Sequence, residues 1–223
     1  MIFKQVRVLR APGRPAFLLL AGILACPAAI AHAGELGLSL EAGYLDLTSA
    51  RRSAQAVFGD PAGGFTGGGS MRYGIARGVF VAVGARYFER TGERVFVADA
   101  TSPVFGLGHP LKLRLVPAWA IVGYRYERRR GLPLTPYIGL GGGAVFYHEE
   151  SEVGGIKEGV LDQTKGAGYA VLGLELGRGA LRFGIEGMYA RVPESASLGG
   201  VSRVYGEDDV GGFTVVGKLT FVP

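Results

Sequence analysis

Nine ionisable side chains stand inside otherwise apolar segments, and their spacing limits the chemistry open to them. Glu41, Arg72, Arg86, Arg114, Arg125, Glu175, Arg182, Glu186 and Lys218 are flanked by aliphatic, aromatic or glycine neighbours. In an extended chain such charges share one face and the apolar neighbours the other. Gathered together, opposite charges pair with one another. An excess of bases would instead suit the passage of small anions. A second constellation, His148-Glu149-Glu150-Ser151, puts imidazole, carboxylate and hydroxyl in one stretch, as nucleophilic hydrolysis requires. We read it as ordinary solvated loop residues. His109 and His148 lie in different segments, and Glu207-Asp208-Asp209 lacks the spaced ligands of a calcium loop. The runs Gly67-Gly68-Gly69 and Gly141-Gly142-Gly143 open no helix, so no phosphate loop is expected. The sequence predicts no catalytic residue, no metal and no cofactor.

The clearest element to position these charges is the hairpin Gly168–Val192. Ala170, Leu172, Leu174 and Leu176 alternate with Tyr169, Val171, Gly173 and Glu175 on the way in. Leu181, Phe183, Ile185 and Tyr189 alternate with Arg182, Gly184, Glu186 and Met188 on the way out. Gly177 and Gly179 tolerate the positive φ of a tight turn. The same two-faced pattern predicts strands over Glu35–Leu47, Phe65–Ile75, Val79–Tyr87, Leu111–Tyr126, Thr135–Tyr147 and Gly211–Phe221. In the fourth of these, Leu111, Leu113 and Leu115 are placed outward with Lys112 and Arg114 inward. A bulge at Pro117 is then needed to bring Val122 and Tyr124 outward.

Thr48–Gly64, Thr91–Pro110, His148–Gly166 and Pro193–Val210 are read as polar loops, and the intervening turns are short. One short turn carries Arg128, Arg129 and Arg130, read as a solvated basic turn.

Residues 1–33 have the pattern of a cleaved secretory signal. Lys4, Arg7, Arg10 and Arg14 precede an apolar run, and Ala31-His32-Ala33 gives a small-x-small cleavage pattern. Cys26, the chain's one cysteine, lies within it, so no disulfide is expected afterwards. Four of the 24 basic side chains also fall in this segment, leaving 20 against 19 acidic ones. The high isoelectric point therefore implies no nucleic-acid partner. An even strand count, two-faced strands of roughly 9–11 residues and alternating loop lengths predict a membrane barrel, residues 34–223. The fold class is all-β: an eight-stranded antiparallel up-and-down transmembrane barrel with short periplasmic turns and long extracellular loops. Tyr44, Tyr73, Tyr87, Tyr124 and Tyr189 near strand ends suit an interfacial aromatic girdle.

Three stretches carry a family resemblance: Leu40-Glu41-Ala42-Gly43-Tyr44, Thr135–Gly143 (TPYIGLGGG) and Gly217-Lys218-Leu219-Thr220-Phe221. Through them residues 34–223 resemble the small outer-membrane barrels of the OmpA/OmpX/OmpW-like group. The resemblance implies a Gram-negative-type outer membrane, contact with its lipids and lipopolysaccharide, and insertion by the barrel-assembly machinery. It departs from that group at Phe221-Val222-Pro223, where the last residue is usually aromatic.

An eight-stranded barrel is only wide enough for side chains to fill it. Glu41, Arg72, Arg86, Arg125, Glu175, Arg182, Glu186 and Lys218 are therefore expected to form a charged plug in a monomeric protein with a structural or surface-interaction role. A narrow channel for small solutes is the alternative, and a lipid A-modifying enzyme a distant third.

Overall fold

The computed structural model describes residues 34–223 apart from 77, 127–133, 154–155, 178 and 196–197. The proposed signal of residues 1–33 and the basic turn at Arg128, Arg129 and Arg130 lie outside the described residues.

Alternation of large apolar with small or charged residues makes one strand after another, and all eight close a ring. They are β1 (Leu36–Asp46), β2 (Gly63–Ala76), β3 (Val79–Phe96), β4 (Phe105–Arg125), β5 (Leu134–Val153), β6 (Ile156–Leu176), β7 (Leu181–Arg191) and β8 (Gly212–Phe221). Each pairs antiparallel with the next, and β8 pairs back onto β1. The connection before β2 carries helix α1 (Arg51–Phe58), and that before β8 carries α2 (Val201–Tyr205).

The strands are unequal. β1, β7 and β8 span 10 or 11 residues, whereas β3 to β6 span 18 to 21. The segments expected as loops over Thr91–Pro110 and His148–Gly166 are therefore mostly tall hairpins rising above the ring. A rigid turn closes the first. Asp99 accepts from Ser102 Oγ at 2.6 Å and Thr101 N at 2.8 Å, which holds its carboxyl at about 2. Thr48–Gly64 and Pro193–Val210 are the two long connections, and both are partly helical rather than irregular.

The barrel's outer surface is an exposed apolar belt, with Leu40, Phe65 and Leu140 each about 70% exposed. Along β4 and the residue after it, the belt runs over the eleven residues Val116–Tyr126. At roughly 3.3 Å per residue and a tilt of ~40°, that is a band about 25 Å tall.

Above the belt the pattern inverts. Leu111, Leu113 and Leu115 are fully buried inside, in phase with the inward Trp119 and Ile121 below them. Lys112 and Arg114 lie outside, each 2.7 Å from Glu89. The expectation of outward leucines and an inward Arg114 is thus corrected, and with it the bulge at Pro117. β4 keeps one register with β3 from Val79↔Tyr124 to Glu93↔Pro110, and one with β5 throughout. The strand does not change phase at Pro117; its surroundings change.

Candidate functional site: the barrel interior

The interior is filled in two tiers. The tier nearer the short turns is ionic. Arg86 donates from Nε to Glu41 at 2.7 Å and from Nη2 to Glu186 at 2.6 Å. Lys218 Nζ reaches the same two carboxylates, at 2.8 Å from Glu186 and 3.2 Å from Glu41. Ser70 Oγ donates to Glu41 at 2.5 Å, and Tyr137 OH to Glu186 at 2.7 Å. Nearer the turns, Arg72 grips Glu175 with both terminal nitrogens, and Arg125 lies 3.6 Å from that carboxylate. Glu35, just before β1, accepts from Arg125 at 2.7 Å and from both terminal nitrogens of Arg182 at 2.6 and 2.7 Å. Partial burial alone would raise the Glu35 pKa, but the hydrogen bonds from Arg182 and Arg125 outweigh it and hold the carboxyl at about 2.

Glycine and aromatic pairs explain how these groups fit. Phe80 lies across from Gly123, Trp119 from Gly84, and Tyr137 from Gly173. A Cβ on each glycine would come within 2.2 to 2.6 Å of its partner ring. Each ring, laid over a bare glycine, in turn faces a cation. Arg86 sits 4.6 Å above Trp119, Arg72 5.8 Å from Phe80 and Lys218 5.6 Å from Tyr137. Desolvated cations gain from such ring faces. A cavity of about 20 Å³ remains among Ser70, Arg72, Trp119, Tyr137, Glu186 and Lys218, room for about one water.

The tier nearer the long connections is mainly apolar, although it buries Glu149, which accepts from the Tyr147 hydroxyl. Phe88, Leu111, Leu113, Leu115, Val145 and Tyr147 from the wall pack with Leu47, Ala54, Val57, Leu198 and Val201 from the two helical connections. Glu207 ties these connections together. Its carboxylate accepts from Arg52 N, Ser53 N and Ser53 Oγ at 3.0, 2.9 and 2.5 Å, capping the amino end of α1 from across the mouth. Asp209 accepts from Val192 N at 2.9 Å and Gly211 N at 2.6 Å. Two of the acidic trio, Glu207 and Asp209, are thus spent on backbone N–H groups. Among the described residues, no group of three or more His, Cys, Asp or Glu could hold a metal ion.

Lys112 and Arg114 aside, which lie on the outer face, the charges predicted for the lumen all lie in the ionic tier. Glu35, Ser70, Phe80, Trp119 and Tyr137 join them without having been singled out, although Glu35 shares the alternation of Gly37, Ser39 and Glu41. The structure separates the hydrolase-like constellation. Ser151 is buried inside β5, while His148 points outward and contacts Asp162 at 2.6 Å.

A closed ring of eight antiparallel strands wearing an apolar belt decides the fold. It is a small outer-membrane-type β-barrel. No protein-family model and no curated protein matches the chain. The barrel is similar to the solved structure of a major outer membrane protein from Thermus thermophilus (10% identity, 86% of this chain and 100% of that one, TM-score 0.49). It is also similar to the N-terminal barrel domain of Pseudomonas aeruginosa OprF (11%, 86% and 100%, 0.47). A third is Ail, the attachment invasion locus protein of Yersinia pestis (15%, 85% and 100%, 0.46).

Proposed function

We propose that this barrel resides in a bacterial outer membrane, where it presents a rigid extracellular surface and conducts nothing. The observation that carries the reading is the doubly filled interior. A path for ions would have to break a paired ionic tier and then hydrate an apolar one, and each barrier suffices alone. The belt, about 25 Å tall, matches the hydrocarbon band of outer-membrane barrels. Its residues are stable only against an apolar solvent. The outer lipids, including lipopolysaccharide, are the belt's neighbours in this account, and the tall hairpins with their capped helices face outward from the cell. Residues 1–33 would direct export, and the assembly machinery would insert the barrel.

Thr101→Cys, at the tip of the first tall hairpin, tests this placement. A membrane-impermeant maleimide is expected to label it on intact cells. Labelling only after lysis would overturn the topology, and recovery of the chain outside the membrane fraction would overturn the membrane reading itself.

A further inference from the structure

We infer that Arg72, Arg125 and Arg182 form a carboxylate-binding site at the short-turn end of the lumen, which the chain fills with its own Glu35. The segment before β1 is then a tethered ligand. A free carboxylate of matching size takes its place when the Glu35 side chain is removed. The site is the same whichever compartment that end of the barrel faces.

The receptor half of the site stands on strands. Arg72 lies on β2, Arg125 at the end of β4 and Arg182 on β7, fixed in their ladders opposite Ala82, Tyr137 and Thr220. Their side chains are 8%, 9% and 14% exposed. Two of them are held by contacts other than Glu35. Arg72 is gripped by Glu175 through both terminal nitrogens and lies against the Phe80 ring, and Arg125 stands 3.6 Å from the same carboxylate. Arg72 and Arg125 therefore keep their places when Glu35 is withdrawn.

The ligand half stands off the strands. Glu35 precedes β1, and its side chain is 31% exposed, which leaves the site accessible from that side. Arg182 grips the carboxylate with two prongs, Nη1 on Oε1 at 2.6 Å and Nη2 on Oε2 at 2.7 Å. Arg125 adds a bond of 2.7 Å to Oε1, and Arg72 stands 3.9 Å away. This fork-on-fork geometry selects a planar anion with two oxygens over a spherical one. The backbone is held separately. Gly74 N donates to Glu35 O at 2.9 Å, and Gly34 lies so close to Tyr73 that a Cβ there would come within 2.3 Å of the ring.

Charge makes the site demand an anion. Among the described residues, Glu35 is the carboxylate that Arg182 pairs with, and the Arg182 Nε is buried without a partner. Glu35→Ala thus strands a largely buried guanidinium, and removing one partner of such a pair is costly because the other charge is left uncompensated. The same substitution deletes a methylene and its carboxylate while the backbone contacts of Gly34 and Glu35 remain. The space left has the outline of acetate. A free acetate there restores the missing charge and the missing hydrogen bonds together.

The test is urea unfolding of the full chain and of Glu35→Ala in detergent at neutral pH. Chloride is exchanged for acetate, formate or butyrate at constant ionic strength, and acetamide serves as the uncharged match. Glu35→Ala is expected to unfold at lower urea than the unaltered chain. Acetate should restore most of that loss, saturably, and formate part of it, whereas butyrate and acetamide should restore none. The unaltered chain, whose site is full, should not respond. If Glu35→Ala does not fold in chloride, the same comparison is read from the yield of the heat-modifiable folded form. No initial loss, no recovery in acetate, or equal recovery in butyrate or acetamide would overturn the inference. Glu35→Ala combined with Arg182→Met strands no guanidinium, so it should fold and ignore acetate; a retained response would put the acetate elsewhere and overturn the site.

Discussion

The two tiers of the interior solve the same packing problem with opposite chemistry. Beside the belt, lipid takes the large apolar side chains, so the inside is left with charges, glycines and rings. There each carboxylate must find a cation, as Glu41 and Glu186 do with Arg86 and Lys218. Above the belt, water takes most of the charges, as at Glu89, Lys112 and Arg114, and the inside becomes a mainly apolar core, with Glu149 buried in it beside Tyr147. One strand, β4, runs through both regimes without losing register. What a residue's face means is therefore set by the solvent outside that level of the wall.

The tiers should fail differently. Arg86→Met leaves Glu41 and Glu186 buried with only Lys218 between them, and should cost about 3–5 kcal/mol. Urea titration in lipid bilayers would measure it. Adding Glu41→Gln should recover part of the loss, because the stranded charge is removed. Leu113→Ala opens a cavity in the upper core and should cost about 2–4 kcal/mol. Hydrogen exchange would locate that loss in the tall hairpins and helices, with the strands at belt level unchanged. Exchange rising equally in both tiers would dissolve the distinction between them.

Smaller effects sharpen the comparison. Glu207→Ala removes the cap on α1 and should cost about 1 kcal/mol. It should speed proteolysis within the connection between β1 and β2 while the barrel stays heat-resistant. At the ionic tier's lower end, the Glu35 carboxyl is held at about 2, against an ordinary 4.5. The folded state thus binds the proton more weakly than the unfolded chain. Its contribution is present above about 4.5 and is lost as the pH falls toward 2. The stability difference between the unaltered chain and Glu35→Gln should shrink over that window; a difference constant with pH would show that Glu35 is not held this way.

Much of this was legible in the sequence at belt level. The alternation in β1, and in the β6–β7 hairpin, marks both faces directly, and the charges of the ionic tier follow from it. The upper wall was not legible for the same reason. Leu111, Leu113 and Leu115 alternate with Lys112 and Arg114 just as belt residues do, and alternation alone does not say which face meets lipid. Assigning them outward required an imagined bulge at Pro117. Polar stretches such as His148–Gly166 look like loops because a water-facing hairpin exposes charges on one side and, on the other, only isolated apolar residues such as Leu161. The helix cap by Glu207 joins residues 155 apart in sequence, and no local pattern announces it.

The claim that both tiers close the lumen is tested most directly by single-channel recording on the full-length chain's folded barrel in planar bilayers. Folding would be confirmed beforehand by heat-modifiable mobility. No conductance steps are expected, either from the unaltered barrel or from Glu207→Ala, whose loosened mouth still leaves the ionic tier paired. Reproducible steps from the unaltered barrel, with ion selectivity that shifts when Arg72 or Arg86 is neutralised, would contradict it.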